Sequence, residues 1–250
     1  MAVVPTAAFA QNAVTPSYDT PASTPTGSAT ITPALLPVMV HAPNRRATWA
    51  GRLLTPVPAW YLPGRRGRKM IKAVQPVAPL GAGPVWLEVR GVRDVRGERW
   101  VKVLLPVRPN GTTAWMRADA FDFREFKMQV DIDLGDRRLT LVRSGRPIAR
   151  FPLAVGAPST PTPTGSFAIA EIIPTGDPSA FLGPIVMPLV AFSNVLNEFA
   201  GGNGRVAIHG TSQPALIGTR ASHGCMRMRN ADILTVSRMV SPGMHVRIHD

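Results

Sequence analysis

Cysteine is nearly absent from this chain, whose 250 residues contain a single one, Cys225. One cysteine cannot form an intramolecular disulfide, so the thiol is either buried and inert or chemically active. Long apolar runs are also missing, since none approaches the roughly 18 residues that a membrane-spanning helix needs. The sequence therefore excludes a disulfide framework and predicts no membrane span within this chain.

Acidic residues are scarce: 15 Asp and Glu stand against 28 Lys and Arg, a net charge of +13, with the densest basic cluster at Arg65–Lys69. Such an excess favours contact with a polyanion, either nucleic acid or an anionic envelope polymer, although a solvated basic surface explains it equally well. Charge is the only argument for nucleic acid, because no helix-turn-helix, zinc-finger or RNA-binding motif occurs. We therefore predict no nucleic-acid partner.

Proline and glycine, by contrast, are abundant, with 26 and 22 residues, which favours strands, turns and linkers over long helices. Residues 1–37 are rich in Pro, Thr, Ser and Ala, and Asp19 is their only charged residue. They contain too little large apolar surface to offset the entropy of ordering, so we predict a disordered linker there.

The first ten residues of this linker are predicted to be a signal-peptide remnant, because Ala8-Phe9-Ala10 resembles an A-x-A cleavage site. No positive segment precedes this site, and the apolar stretch is short. Either the true translation start lies upstream or the sequence was trimmed. A disordered Ala-rich end is the alternative, and the sequence leaves it open.

Residues 38–121 show a pattern of short strands. Val38–Val40, Val85–Val89 and Trp100–Leu105 are β-branched or aromatic runs bounded by Gly and Pro. Asn110-Gly111 follows the third run and predicts a hairpin. The segment around this hairpin resembles the bacterial SH3-like modules that precede wall enzymes. We therefore predict a small SH3-like β-barrel over residues 38–121.

Residues 122–250 show a sharper alternation of apolar and polar positions. Met128–Leu134, Leu139–Val142 and Ile148–Val155 predict a β-meander with one buried face. Two later strands are predicted at Phe167–Ala170 and Met244–Ile248. The predicted fold class is mainly β, with an SH3-like barrel followed by a mixed, β-rich domain with short helices.

One helix is predicted near the end of the chain. It runs over about Ala231–Val240, where Ile233, Val236 and Val240 recur at helical spacing, and Asn230 is expected to be its N-cap.

Two short clusters carry the residue types that thiol chemistry needs. They are Ile208-His209-Gly210-Thr211 and Ser222-His223-Gly224-Cys225-Met226-Arg227. The thiolate is the attacking species, and a nearby imidazole is the usual means of forming it at neutral pH. The glycine before the cysteine allows close approach of a substrate and lets consecutive amide groups converge on a developing oxyanion.

Together with Pro161-Thr162-Pro163-Thr164-Gly165-Ser166-Phe167, these clusters resemble the L,D-transpeptidase (YkuD-type) catalytic domain. The three motifs occur in the family's order, and the resemblance covers about Phe126–His249. It implies that residues 122–250 form the catalytic domain of an exported enzyme of the cell wall or periplasmic space. The implied substrates are peptidoglycan stem peptides, anionic cell-wall polymers remain a candidate partner, and no metal or organic cofactor is implied.

The resemblance also implies a role for each motif residue. Cys225 is the implied nucleophile, His209 its general base, and the main-chain carbonyl of Gly210 the third member of the triad. The amides of His223, Gly224 and Cys225 are the implied oxyanion hole. A loop-supporting role for the histidine beside the cysteine is equally consistent with the sequence.

Ser222 and Arg227 belong to the same motif. We interpret them as shaping the loop and as holding a substrate carboxylate or a main-chain carbonyl, and an arginine that only braces the fold is the alternative. Many family members carry Tyr or Trp in a mobile flap over the site. The expected flap here, about Thr175–Ser193, has only Phe181 and Phe192.

The implied reaction is acyl transfer in two steps. Cys225 attacks the carbonyl between the third and fourth residues of a stem tetrapeptide, D-alanine leaves, and the side-chain amine of another stem attacks the thioester to give a 3→3 cross-link. Water in place of the amine gives an L,D-carboxypeptidase. A wall-anchoring module that has lost activity is the competing function, and the complete Cys, His and Gly set argues against it.

A zinc site is the remaining alternative, with His209, His223 and Cys225 as ligands. One residue between the last two fits poorly with the usual ligand spacers, and no matching carboxylate or second cysteine motif follows. The sequence therefore favours nucleophilic chemistry over metal binding.

Overall fold

The computed structural model of the protein describes residues 30–31, 43–44, 46–64, 69–198 and 201–250. Within these ranges regular structure is mainly β, with one α-helix, α1 (Asn230–Ser237), and short 3₁₀ turns at Ala118–Ala120 and Pro214–Leu216. The predicted fold class is confirmed at this level. No helix among these residues has the length and apolar character to cross a membrane.

Eight strands from the first half of the chain form one antiparallel sheet. They are β1 (Thr30–Ile31), β2 (Thr48–Leu53), β3 (Val57–Trp60), β4 (Lys69–Val74), β5 (Trp86–Val95), β6 (Glu98–Leu104), β7 (Thr113–Arg117) and β8 (Phe121–Phe126). Their order across the sheet is β1-β8-β2-β5-β6-β7-β3-β4. The two residues of β1 pair with β8, although they fall inside the segment predicted as linker.

Most strand predictions for this half agree with the structure. Val85–Val89 and Trp100–Leu105 correspond to β5 and β6, and Asn110-Gly111 lies in the connection between β6 and β7, as predicted. The strand at Val38–Val40, residues 65–68 of the basic cluster and the signal-peptide remnant lie outside the described residues. The SH3-like identity of this region stays a prediction.

Eleven strands from the second half form three further sheets. They are β9 (Met128–Asp133), β10 (Arg138–Arg143), β11 (Arg146–Pro152), β12 (Val155–Gly156), β13 (Gly165–Ala168), β14 (Ile173–Pro174), β15 (Ile185–Phe192), β16 (Arg205–His209), β17 (Arg220–Ser222), β18 (Met226–Arg227) and β19 (His245–His249). The sheet orders are β11-β10-β9-β19-β13, β12-β17 and β14-β15-β16-β18. The predicted meander is the β9–β10–β11 part of the five-stranded sheet.

The predicted third strand of the meander proved to be two strands in different sheets. β11 ends at Pro152, and β12 pairs in parallel with β17 instead. Leu153 lies between the two strands, and its N–H donates to the Arg137 carbonyl. The next residue, Ala154, donates its N–H to the Arg227 carbonyl and accepts from the Arg227 N–H. The change of sheet brings β12 next to the segment that precedes Cys225.

The helix prediction was correct in place but wrong in its cap. α1 begins at Asn230 itself and ends at Ser237, and no side chain caps its first turn. Asn230 instead bonds to residues from two other parts of the chain, as described below. Burial of Ile233 and Val236 against the core orients the helix.

The core of the second half lies between the five-stranded and four-stranded sheets. Its fully buried members include Val130, Leu139, Phe167, Ile208 and Met226. Ile208 and Met226 come from β16 and β18, so the segments that contain His209 and Cys225 are anchored by the same core that holds the sheets together.

The connection between β6 and β7 also contacts the second half. The Asn110 amide donates to the Phe192 carbonyl at 2.7 Å and accepts from the Phe192 N–H at 2.8 Å. The Arg108 guanidinium lies 4.9 Å from the Phe192 ring centre and donates to the Ser193 carbonyl. Phe192, predicted as a flap aromatic, therefore lies at the contact with the N-terminal sheet.

A buried charged cluster forms a second contact between the halves. The Glu88 carboxylate lies 2.7 Å from His245 Nδ1 and 2.6 Å from Arg90 Nη2, and Glu88 is 1% exposed. Buried carboxylates are tolerated only when they are paired in this way, so the cluster fixes β5 against β19.

Candidate active site

Three residues on one face of the β16–β18 pair, His209, Cys225 and Arg227, form the centre of the site. In the parallel register Ile208 lies beside Met226 and His209 beside Arg227. Because side chains alternate along a strand, His209 and Arg227 point away from the core that buries Ile208 and Met226. Cys225 directly precedes β18, on the same side as Arg227, so the register brings the predicted nucleophile and base to neighbouring strands.

His209 is 2% exposed, and its ring is held by the main chain of the next residue. Its Nδ1 lies 2.6 Å from the Gly210 carbonyl oxygen. A carbonyl can only accept, so Nδ1 carries the proton and Nε2 keeps its lone pair. Burial lowers the pKa of His209 to about 4; the charge of Arg227 adds to the effect, and backbone hydrogen bonds with Gly210 and Leu182 oppose it.

Cys225 is partly exposed at the residue level. Burial nevertheless raises the pKa of its thiol above the ordinary value, while the Ala207 main chain and the Arg227 charge lower it. At neutral pH Cys225 is therefore a neutral thiol and His209 a neutral imidazole. A nucleophilic attack by this thiol would require its proton to move to a base as the new bond forms.

The loop that carries Cys225 is held by hydrogen bonds from Ser222, within the loop, and from Thr162, outside it. Ser222 Oγ donates to the Cys225 carbonyl at 2.5 Å and accepts from the Gly224 N–H at 3.2 Å. Thr162 Oγ1 donates to the Gly224 carbonyl and accepts from the Gly156 N–H, both at 2.9 Å. The proline- and threonine-rich motif of residues 161–167 thus supports the loop through Thr162, and we call this support the floor of the loop.

Gly224 has a backbone conformation that other residues rarely adopt. Its φ is +112°, in the left-handed half of the map, and it is buried. His223, its neighbour, is exposed. The structure brings the implied oxyanion amides into one turn, in which the Gly224 N–H already donates to the Ser222 hydroxyl.

Thr162→Val should test the importance of this floor, because valine keeps the shape and removes the hydroxyl. It leaves a buried carbonyl and a buried N–H unpaired, at about 1–3 kcal/mol for each group. We expect a loss of about 2–6 kcal/mol in the free energy of unfolding and acylation of Cys225 slowed by about tenfold or more. Thr164→Val, at an exposed position of the same motif, is the matched control. Wild-type acylation in Thr162→Val would show that the floor does not position the thiol.

Arg227 is 5% exposed and has few partners. Its Nη1 lies 3.3 Å from Gln213 Oε1, and its guanidinium carbon lies 4.7 Å from the ring centre of Phe181. Its buried Nε has no hydrogen-bond partner, and no ion pair to it occurs in the part of the chain that the structure describes. A buried guanidinium without a counter-ion is costly, so this side chain is available for a ligand.

The flap is shorter than predicted. Residues 175–184, hereafter the flap, form an irregular loop, whereas Ile185–Phe192 is β15, a strand of the core. The near-continuous apolar run of β15 is typical of a fully buried strand. Phe181, half exposed, lies over Arg227 with its ring centre 6.3 Å from that of His209, so it is the flap aromatic that reaches the site.

Asn230 joins the flap to the segment after His209. Its Nδ2 donates to the Pro178 carbonyl, and its Oδ1 accepts from the Thr211 N–H, both at 2.8 Å. The sequence predicted Asn230 to be a helix cap and indicated no individual role for Thr162 or Gln213. These polar side chains could equally form hydrogen bonds with neighbouring residues in the sequence. The sequence therefore did not indicate their long-range partners.

The structure also bears on the zinc alternative. In the described ranges, His, Cys, Asp and Glu side chains do not gather in any group of three or more that could hold a metal ion.

Residues 127–248 match the family model of the L,D-transpeptidase catalytic domain, YkuD. A curated relative, "Putative L,D-transpeptidase YkuD" of Bacillus subtilis, is 32% identical over 120 residues. That alignment covers 48% of this chain and 65% of the relative, so the chain spans just under two thirds of its length.

Solved structures of lower similarity include two L,D-transpeptidases. The catalytic domain of the E. faecium enzyme acylated by ertapenem is 23% identical, with 49% of this chain and 97% of that one covered and a TM-score of 0.37. The Mycobacterium tuberculosis enzyme is 14% identical, with 65% and 98% covered and a TM-score of 0.41.

Proposed function

We propose, from the match of residues 127–248 to the L,D-transpeptidase catalytic domain, that this protein cross-links peptidoglycan through a thioester on Cys225. The observation that carries the proposal is the adjacency of β16 and β18, which brings His209 and the only cysteine of the chain to one face of a sheet. A thiol with a neighbouring imidazole, itself oriented by a third group, is the arrangement of covalent acyl transfer.

In the first step Cys225 attacks the carbonyl between the third and fourth residues of a stem tetrapeptide. The thiol proton passes to Nε2 of His209, while the Gly210 carbonyl holds Nδ1–H and stabilises the imidazolium. The C–N bond then breaks, His209 returns the proton to the leaving amine, and D-alanine departs. A thioester on Cys225 remains.

In the second step the side-chain amine of another stem attacks the thioester. His209 takes a proton from that amine and returns it to the leaving sulfur, so the product is a 3→3 cross-link and the free thiol. Water in place of the amine gives an L,D-carboxypeptidase side activity. The developing oxyanion faces the turn of residues 223–225, whose amides are the proposed donors.

Arg227 is the proposed carboxylate-binding residue. Its guanidinium is buried, its Nε is unpartnered, and it lies two residues after Cys225 and beside His209 in the sheet. A bound carboxylate would supply the missing counter-ion through charge-assisted hydrogen bonds. The Arg227 charge also lowers the pKa of both Cys225 and His209, so it favours thiolate over thiol and neutral over charged imidazole.

The proposed substrate places the enzyme outside the cytoplasm, in the cell wall or periplasmic space. In this setting residues 1–29 would be a spacer, and residues 38–121 an SH3-like module whose ligand is open. The excess of 28 basic over 15 acidic residues would attract anionic wall polymers.

Reaction with a carbapenem tests the acyl-transfer proposal without a natural substrate. Incubation with ertapenem should increase the intact mass by one adduct located on Cys225. Absence of any adduct under conditions that acylate the E. faecium catalytic domain would favour a wall-binding module without catalysis.

Binding to purified cell wall should weaken steeply as salt rises, because exposed charges are screened over about 8–10 Å at physiological ionic strength. It should also weaken when Arg65, Arg66, Arg68 and Lys69 are all changed to Gln, while turnover of a small soluble tetrapeptide stays unchanged. Deletion of residues 1–29, which spares β1, should alter neither measurement. Salt-insensitive wall binding would contradict electrostatic retention.

A further inference from the structure

Asn230 lies where three parts of the chain meet: the flap, the Gly210-Thr211 segment after the candidate base, and the start of α1. It is the first residue of α1, yet its amide group makes no capping bond. Both ends of this amide are used across the fold, as donor to Pro178 and as acceptor from Thr211. The Asn230 side chain therefore joins the flap and the Gly210-Thr211 segment to the start of α1.

The space around this amide leaves no room for side chains. A Cβ on Gly183, whose φ is +64°, would lie 2.4 Å from Asn230 Oδ1 and 2.7 Å from the Gly210 Cα. A Cβ on Gly210 would lie 2.5 Å from the same oxygen and 3.0 Å from the Gly183 Cα. The flap thus packs backbone to backbone against the residue whose carbonyl orients His209, with the Asn230 amide filling the remaining gap.

The flap is folded as a unit between these anchors. Thr175 Oγ1 donates to the Gly183 carbonyl at 2.6 Å, and the Gly183 N–H donates to the Ala180 carbonyl at 2.8 Å. Pro178 and Gly183, on either side of Phe181, are the two points at which it meets Asn230. Fixing both points holds Phe181 over Arg227 and keeps the Leu182 main chain within hydrogen-bonding reach of His209.

We infer that Asn230 is a positioning residue that latches the flap onto Gly210-Thr211 and so sets the placement of Phe181 and of the His209 imidazole together. Its effect on acylation rests on the function proposed above. Its effect on flap mobility does not, because the bonds to Pro178 and Thr211 exist whatever the reaction.

Two substitutions separate the two ends of the latch. Asn230→Asp keeps an acceptor for the Thr211 N–H but turns a carboxylate oxygen toward the Pro178 carbonyl, so it breaks the flap bond alone. Asn230→Ala removes both bonds. Thr235→Ala is the control on the same helix, since this exposed side chain donates its hydroxyl to the Ala231 carbonyl within α1.

Hydrogen exchange of the whole protein, read by mass spectrometry on peptides covering 176–183, is the deciding measurement. We expect flap exchange about tenfold faster in Asn230→Asp and Asn230→Ala, with exchange in β19 unchanged in Asn230→Asp and wild-type behaviour in Thr235→Ala. Acylation of Cys225 by ertapenem should slow by about tenfold in both flap variants, with a smaller effect on alkylation by iodoacetamide, which needs no flap contact.

Flap exchange within twofold of wild type in both variants would overturn the latch. Faster exchange spread equally over the flap, α1 and β19 would also overturn it, because that pattern indicates general destabilisation. If flap exchange rises as expected but ertapenem never acylates the wild type, the latch stands and the proposed function fails.

Discussion

Replacing Cys225 with alanine should abolish both the ertapenem adduct and all turnover of a stem tetrapeptide. The chain contains no other thiol, so no second residue can form the thioester. The fold should persist, because Cys225 is not part of the core cluster and lies on the face of β16–β18 opposite to Ile208 and Met226, which fill that core. Intact mass, and product analysis after overnight incubation, measure the two effects.

Cys225→Ser is the companion variant, since it keeps a nucleophilic atom whose deprotonation is far harder. We expect it to lose turnover as well, with a free energy of unfolding within about 1 kcal/mol of wild type. Turnover above the uncatalysed background in the alanine variant would remove Cys225 from the mechanism.

Changing His209 to Gln or Ala should slow acylation by at least about a hundredfold, the range expected for loss of a positioned base. The imidazole is fixed by the Gly210 carbonyl, and glutamine, though polar, cannot accept the thiol proton. Stopped-flow or time-resolved mass measurements with ertapenem give the rate. His223→Ala is the matched histidine control, because that side chain is exposed. A far larger effect in His223→Ala would reverse the two assignments.

The pH dependence of stability offers an independent check on His209. Its pKa is about 4 in the folded protein, against 6.5 when unperturbed, so below pH 6.5 the unfolded state binds more protons. The contribution of this group to the free energy of unfolding is therefore fully present above pH 6.5. It decreases as pH falls toward 4, by up to about 3 kcal/mol. His209→Gln should remove this part of the acid sensitivity. The acid limb of the acylation rate should likewise fall near pH 4 rather than near pH 6.5.

Local sequence patterns predicted the elements whose neighbours are close along the chain. The meander β9–β11, the β6–β7 hairpin and the position of α1 follow from alternation, turn residues and helical spacing. Predictions failed where a distant partner decides the structure. Ile148–Val155 has the pattern of one strand, yet Leu153 bonds to Arg137 and the chain changes sheet.

The candidate site shows the same division. Cys225, His209 and Arg227 could be found because their residue types suggest chemistry, and the pairing of β16 with β18 brings them together. Thr162 and Asn230 could not be assigned, because a hydroxyl or an amide is compatible with many local roles. Their long-range hydrogen-bond partners are Gly224 in one case and Pro178 and Thr211 in the other.

The central claim, cysteine-dependent cross-linking of stem peptides, is tested most directly by incubating the protein with a purified disaccharide-tetrapeptide and analysing the products by mass spectrometry. We predict a dimer that has lost one D-alanine, formed by the wild type and absent with Cys225→Ala. Tripeptide without dimer would reduce the activity to L,D-carboxypeptidation. An unchanged substrate, or dimer formed equally well by Cys225→Ala, would contradict the proposed function.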